Sequence, residues 1–207
     1  MVMLEVYWAR ETVKSFESMI DQNTALVVVD VQKGLDDWDF YGGHRNNPDA
    51  EKNMGKIVDH WRRENRPIFH VRHSSTNTNS PLHASKPGFQ IKDEVAPLAT
   101  EPLFTKNVNS AFIGTDLEET LRKGAIQKLV VVGLTTNHCV STSVRMAANL
   151  GFEVILISDA TACFNGIGIN GTSYDAELMH QVTLASLKDE FAEILSSATL
   201  LELLSKD

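Results

Sequence analysis

Four short apolar runs, Ala25 to Val29, Ile68 to Val71, Leu129 to Leu134 and Val154 to Ile157, are rich in Val and Ile and carry no polar alternation. A strand with one wet face alternates with a period of two. Unbroken β-branched runs of this length therefore mark strands covered on both faces, the habit of a parallel sheet. Between them the apolar period lengthens to that of a helix. Pro48 opens a segment in which Met54, Ile57, Val58 and Trp61 share one helical face. Thr115 and Glu118 make a capping-box pattern ahead of Leu117 and Leu121, with Gly124 as the stop. A third helix is expected from Val140 to Leu150, ending at Gly151, and further ones over Ala176 to Leu187 and Ser197 to Leu204. Apolar segments at Leu103 to Lys106 and Phe191 to Leu195 add two strands, for about six in all.

Strand alternating with helix predicts right-handed crossovers and a doubly wound, three-layer α/β sandwich around a mostly parallel sheet. If the chain winds outward from the first strand and reverses after the third, the switch point separates the strand ending at Val29 from the strand ending at Leu134. Open α/β sheets bind ligands in that crevice, beyond the carboxyl ends of the strands. A length of 207 residues without repeats or linker-like tracts reads as a single domain over residues 1–207.

Composition narrows the partners. Asp and Glu outnumber Lys and Arg by 27 to 19, for a net charge of -8, which repels a phosphate backbone and disfavours nucleic acid. No apolar run reaches membrane-spanning length. The stretch Met1 to Gln22 carries Glu5, Arg10, Glu11, Lys14 and Glu17, so no signal-peptide core is expected there. Two cysteines, Cys139 and Cys163, point to a reducing cytoplasm and free thiols. No Gly-x-Gly-x-x-Gly follows the first strand, which disfavours a dinucleotide, and no cofactor is expected. The expected partner is a small-molecule substrate.

Three residues carry the chemistry. Asp30 directly follows Val29, which sets its carboxylate at the lip of the central strand. Asp in that place often caps the following loop instead. Cys139 follows Leu134 by a five-residue turn and opens a helix, where free amides and the macrodipole favour an anion; this predicts a lowered thiol pKa. Rapid alkylation of Cys139 near neutral pH, and slow alkylation of Cys163, would follow. The competing reading of Cys139 is a buried packing residue. Lys106 ends the segment Leu103 to Lys106, and a cation there can stabilise both anions, although a lone lysine is more often a solvated charge. Cys163 sits in a loop and reads as packing.

The blocks Val27-Val28-Val29-Asp30-Val31-Gln32, Lys106 with Ser110-Ala111-Phe112, and Gly133-Leu134-Thr135-Thr136-Asn137-His138-Cys139-Val140 together resemble the isochorismatase-like cysteine hydrolases. Gly151-Phe152-Glu153-Val154 to Asp159-Ala160-Thr161-Ala162 extends the resemblance over nearly the whole chain from about residue 24. The resemblance implies an Asp30, Lys106 and Cys139 triad, a cis peptide before Thr135, and an oxyanion hole built from the amides of Thr135 and Cys139. It implies amidohydrolase-type cleavage of a carbon-nitrogen bond, amide or carbamoyl, through a thioester. It also implies assembly as a dimer or larger homo-oligomer.

Departures narrow the substrate. Nicotinamidases in this family carry an Asp-x-His pair after the first strand, whereas Asp37-Trp38-Asp39 and Asp49-Ala50-Glu51 offer no histidine, so no metal is expected. Family members that hydrolyse the vinyl ether of isochorismate lack the nucleophilic cysteine, which is present here. Gln32, Trp38, Phe40, Tyr41, His73 and Phe164 are the candidate pocket residues, and Gly42 and Gly43 permit a mobile lid.

Two rival readings remain at this level. His138-Cys139 with Arg145 matches the HC-x5-R spacing of cysteine phosphatases, but the residues between carry no glycine to cradle a phosphate. A non-catalytic oligomeric protein that keeps the fold is the other.

Overall fold

The computed structural model describes residues 20–205. The stretch read above against a signal peptide lies, as far as residue 19, outside them. Eight strands follow in chain order: β1 (Ala25–Val29), β2 (Ile68–His73), β3 (Leu103–Lys106), β4 (Lys128–Leu134), β5 (Glu153–Ala162), β6 (Gly166–Ile167), β7 (Ser173–Tyr174) and β8 (Glu193–Leu195). Six of them form one parallel sheet in the order β3-β2-β1-β4-β5-β8, and β6 and β7 make a short antiparallel hairpin beside it. The winding runs outward from β1 to β3 and restarts at β4 on the other side of β1, so the switch point lies between β1 and β4.

Among the described residues five α-helices cover the sheet: α1 (Ala50–Arg63), α2 (Leu117–Lys123), α3 (Ser141–Asn149), α4 (Ala176–Leu187) and α5 (Ser197–Leu204). The reason for the unbroken apolar runs is visible along β1. Leu26 and Val28 pack into a core with Met54, Ile57, Trp61 and Leu200, while Ala25, Val27 and Val29 pack into a second with Leu121, Val144 and Leu184. Each face needs an apolar residue, and burial of each large one contributes about 1.5–3 kcal/mol. One core lies under α1 and α5, the other under α2, α3 and α4, which makes three layers. Among the described residues no helix is long and apolar enough to cross a membrane.

Element ends depart from expectation where local chemistry intervenes. α1 begins at Ala50, with Asp49 as its cap. The capping box at Thr115 and Glu118 does not form: Thr115 donates to Ala111 O at 2.6 Å, Arg122 takes Glu118 at 2.8 Å, and α2 starts one turn-half later at Leu117 behind Asp116. β5 runs past Ile157 to Ala162, with a register break opposite Val131 to Gly133 of β4. Gly133 has φ 140, and a Cβ there would stand 2.1 Å from Val29 O. Only glycine lets the β1 and β4 backbones approach this closely, at the edge where the site is built.

Candidate active site

Register brings the chemistry to one edge. Val29 of β1 lies opposite Val71 of β2 and Gly133 of β4, and His73 of β2 lies opposite Lys106 of β3. Asp30, His73, Lys106 and the turn after β4 therefore all leave the sheet at the carboxyl ends of neighbouring strands. Asp30 has φ 53, in the left-handed region that few non-glycine residues occupy, while its amide donates to Val71 O at 2.8 Å.

Lys106 Nζ reaches across β2 and donates to Asp30 Oδ2 at 2.6 Å, with side chains 0% and 3% exposed. It stands 3.2 Å from His73 Nδ1. An ammonium only donates, so Nδ1 accepts and the ring proton sits on Nε2. Burial, and then the Lys106 charge, hold the His73 pKa below its ordinary value. Asp30 Oδ1 is buried and has no hydrogen-bond partner, while an Asp30 carboxylate oxygen, a His73 nitrogen and the Cys139 sulfur lie within 4.8 Å of one another. Burial pushes the Asp30 carboxyl up, opposed first by Lys106 and then by the Cys139 thiol.

Cys139 sits in a five-residue π-turn, Thr136–Val140, between β4 and α3, in place of the first turn of an α-helix. The peptide between Leu134 and Thr135 is cis. Thr136 is fully buried and its hydroxyl meets His180 Nδ1 at 2.9 Å. Cys163 is fully buried and donates its thiol to Asn137 Oδ1 at 3.3 Å, so it supports the turn from below. The expected lowering of the Cys139 thiol is overturned: burial first, and the Asp30 carboxylate second, push it up to about 12 against the pull of Lys106. Desolvation and the neighbouring carboxylate outweigh the Lys106 charge, and the resting group is a thiol.

A cavity of about 600 Å³ opens onto Asp30, Thr135 and Cys139. Its walls include His73, and also Tyr41 and Phe164, whose rings stack with centroids 5.3 Å apart. Three candidate pocket residues lie elsewhere. Gln32 is buried, donates to His73 O and Phe89 O at 3.0 Å each and accepts from His73 N at 2.7 Å, so it clamps the end of β2. Trp38 and Phe40, 40% and 47% exposed, are not part of the wall. Ser80 and Leu82, from the connection after β2, and Ile167 and Met179, from the β6–β7 hairpin region and α4, complete it instead. Nothing in their local sequence marked them, because only the folding of two long connections over the strand ends brings them there.

A model of the isochorismatase domain matches residues 24–199. The chain belongs to the isochorismatase family. It is 47% identical over 182 residues to the isochorismatase family protein YrdC of Bacillus subtilis, spanning 88% of this chain and 96% of that one. With Nicotinamidase 3 of Arabidopsis thaliana it shares 32% identity over 156 residues, 68% of this chain and 72% of that protein. A solved isochorismatase-family structure from Chromobacterium violaceum superposes with a TM-score of 0.86 at 36% identity, covering 90% of this chain and 96% of that one.

Two further features of this isochorismatase-family site bear on its chemistry. Arg145 donates from Nη2 to Ser186 O and Oγ at 3.2 and 3.1 Å and lies over the Phe191 ring, so it is committed away from Cys139 and the phosphatase spacing has no phosphate-binding arginine behind it. Asp30, His73 and Cys139 form a three-donor group of the kind that holds a metal. The Lys106 ammonium already stands against two of the three, and a second cation there would face it directly.

Proposed function

We propose that this isochorismatase-family hydrolase is a cysteine-dependent amidohydrolase that cleaves the carbon-nitrogen bond of a small amide or carbamoyl compound through a thioester. The observation that carries this reading is that Asp30 and Cys139 face one cavity while Lys106 is paired with Asp30 behind it, the three coming from the ends of three separate strands. With the thiol pushed up to about 12, free thiolate is scarce at neutral pH. Attack is therefore coupled to proton transfer: Asp30 Oδ1 takes the thiol proton as sulfur adds to the carbonyl carbon. A buried carboxylate with a raised pKa is a stronger base, which narrows the gap to the thiol. Lys106 stays on Oδ2 and keeps the carboxylate ionised between turnovers.

Thr135 and Cys139 border the cavity, and we assign their amides to the tetrahedral oxyanion. Asp30 then returns the proton to the leaving nitrogen, the thioester remains on Cys139, and water deprotonated by Asp30 releases the acid. The similarity to a nicotinamidase supports an amide as the bond cleaved. Ammonia release from a panel of small amides, ureas and carbamates tests the reading, with Cys139→Ala as control. Turnover abolished in the variant is the expected result, and turnover equal in both proteins removes cysteine catalysis.

A further inference from the structure

Two side-chain carboxamides in the cavity wall have only one end occupied. Asn137 belongs to the turn that carries Cys139, and its Oδ1 accepts the Cys163 thiol at 3.3 Å. The Cys163 sulfur is itself faced by the backbone amides of Thr136 and Asn137 and by the Thr136 hydroxyl, so its lone pairs are engaged and its proton is left for Asn137. Asn165 follows Cys163 by two residues. Its Oδ1 accepts the amide of Ala176, the first residue of α4, at 2.9 Å. Asn46 ties these pieces together from behind, accepting from the Cys163 amide at 2.7 Å and donating to Glu177 of α4 at 2.9 Å.

Those partners decide which end of each carboxamide faces the cavity. Turning Asn165 over would set its NH2 against the Ala176 N–H, donor against donor. Turning Asn137 over would crowd a third kind of donor onto a sulfur that already accepts. Among the described residues neither Nδ2 has a hydrogen-bond partner, and unlike Asp30 Oδ1 neither is sealed from solvent. Both residues line the cavity that opens onto Cys139, so their unspent N–H groups open into it.

Resting on the amidohydrolase reading, we infer that the Asn137 and Asn165 NH2 groups form an acceptor subsite for a second oxygen of the substrate, distinct from the oxygen of the scissile carbonyl. The substrate class is a small amide that carries a further carbonyl or carboxylate, and both asparagines determine specificity. A ligand of the same shape with a methyl group in place of that oxygen strips water from the donors and leaves them unpaired, which is the source of the discrimination.

Succinamide and glutaramide carry a second carbonyl at two reaches. Succinamate and glutaramate replace it with a carboxylate, and 4-methylpentanamide and 5-methylhexanamide put an isopropyl group in its place. Binding is read by ligand-observed NMR titration of Cys139→Ala, which does not depend on turnover. At one reach or the other, an acceptor compound should bind roughly tenfold tighter than its isopropyl counterpart. Whether the diamide or the anion binds tighter tells carbonyl from carboxylate as the group taken. Asn165→Asp and, separately, Asn137→Asp keep Oδ1 for Ala176 or Cys163 and exchange the donor for an anionic oxygen. Each, made in Cys139→Ala, should abolish the preference at an unchanged urea midpoint. Equal binding of acceptor and isopropyl compounds at both reaches, no measurable binding of any of them, a preference that survives both Asp variants, or its loss only where the midpoint also falls overturns the inference. Ammonia release from the preferred compound by the wild-type protein is scored separately. Its absence beside an intact preference would sink the hydrolytic reading and leave the subsite standing.

Discussion

Replacing Lys106 by Met nearly preserves side-chain length and removes the charge, so Lys106→Met isolates the ion pair at the centre of the site. The ammonium is fully buried 2.6 Å from a carboxylate that is 3% exposed. Removing one partner from such a pair costs about 3–5 kcal/mol, because the remaining charge stays out of water. Asp30 escapes that cost only by holding a proton. Burial already raises its pKa, and Lys106 is the largest influence holding it down, so in the variant the carboxyl titrates further above its ordinary 3.8. An acid whose folded-state pKa is raised binds its proton more tightly folded than unfolded, so stability falls as pH climbs from the unfolded value through the folded one. The deficit of Lys106→Met relative to wild type is thus expected in full at pH 7 and to shrink toward pH 4. Urea unfolding at several pH values reads it directly. Adding Asp30→Asn should restore most of the stability and none of the activity. Wild-type stability at pH 7, or a deficit that does not change with pH, refutes the buried pair as described.

Asp30→Asn alone should reduce hydrolysis by roughly 10²- to 10⁴-fold, the span of a lost general base. The same change should speed iodoacetamide alkylation of Cys139 at pH 8, since the carboxylate that raises the thiol is gone and Lys106 remains; slower alkylation would show that the thiol does not feel Asp30. Gly133→Ala should lower stability by at least about 3 kcal/mol, because its Cβ would stand 2.1 Å from Val29 O at φ 140, and an unchanged urea midpoint would contradict that close approach. His180→Leu leaves the buried Thr136 hydroxyl without its 2.9 Å partner and should cost about 1–3 kcal/mol. Thr136→Val should then add little, and fully additive losses would mean that the two side chains do not share one interaction.

The layered sheet was legible because burial on both faces leaves a pattern: Val27, Val28 and Val29 pack on alternate sides, each against an apolar neighbour, and β-branched runs of this length favour a strand over a buried helix turn. The meeting of Asp30 with Lys106 follows from topology once strand order is known, since strand ends in a parallel sheet share one edge. Three things escaped. The cavity wall at Ser80, Ile167 and Met179 depends on how irregular connections fold back, which no period encodes. Gln32 looked like a ligand-facing polar group, but the backbone at the end of β2 uses both ends of its amide. The Cys139 thiol was expected to be acidified by a helix terminus, whereas the turn that carries it also buries it beside Asp30, and desolvation is the larger effect.

The most direct test of Cys139 as the nucleophile is acid quenching during steady turnover of a small amide, followed by peptide mapping by mass spectrometry. An acyl mass on the peptide bearing Cys139, absent from the Cys163 peptide and from Cys139→Ala, is predicted. Ammonia released by Cys139→Ala at the wild-type rate, with no adduct on the wild-type protein, would contradict the account.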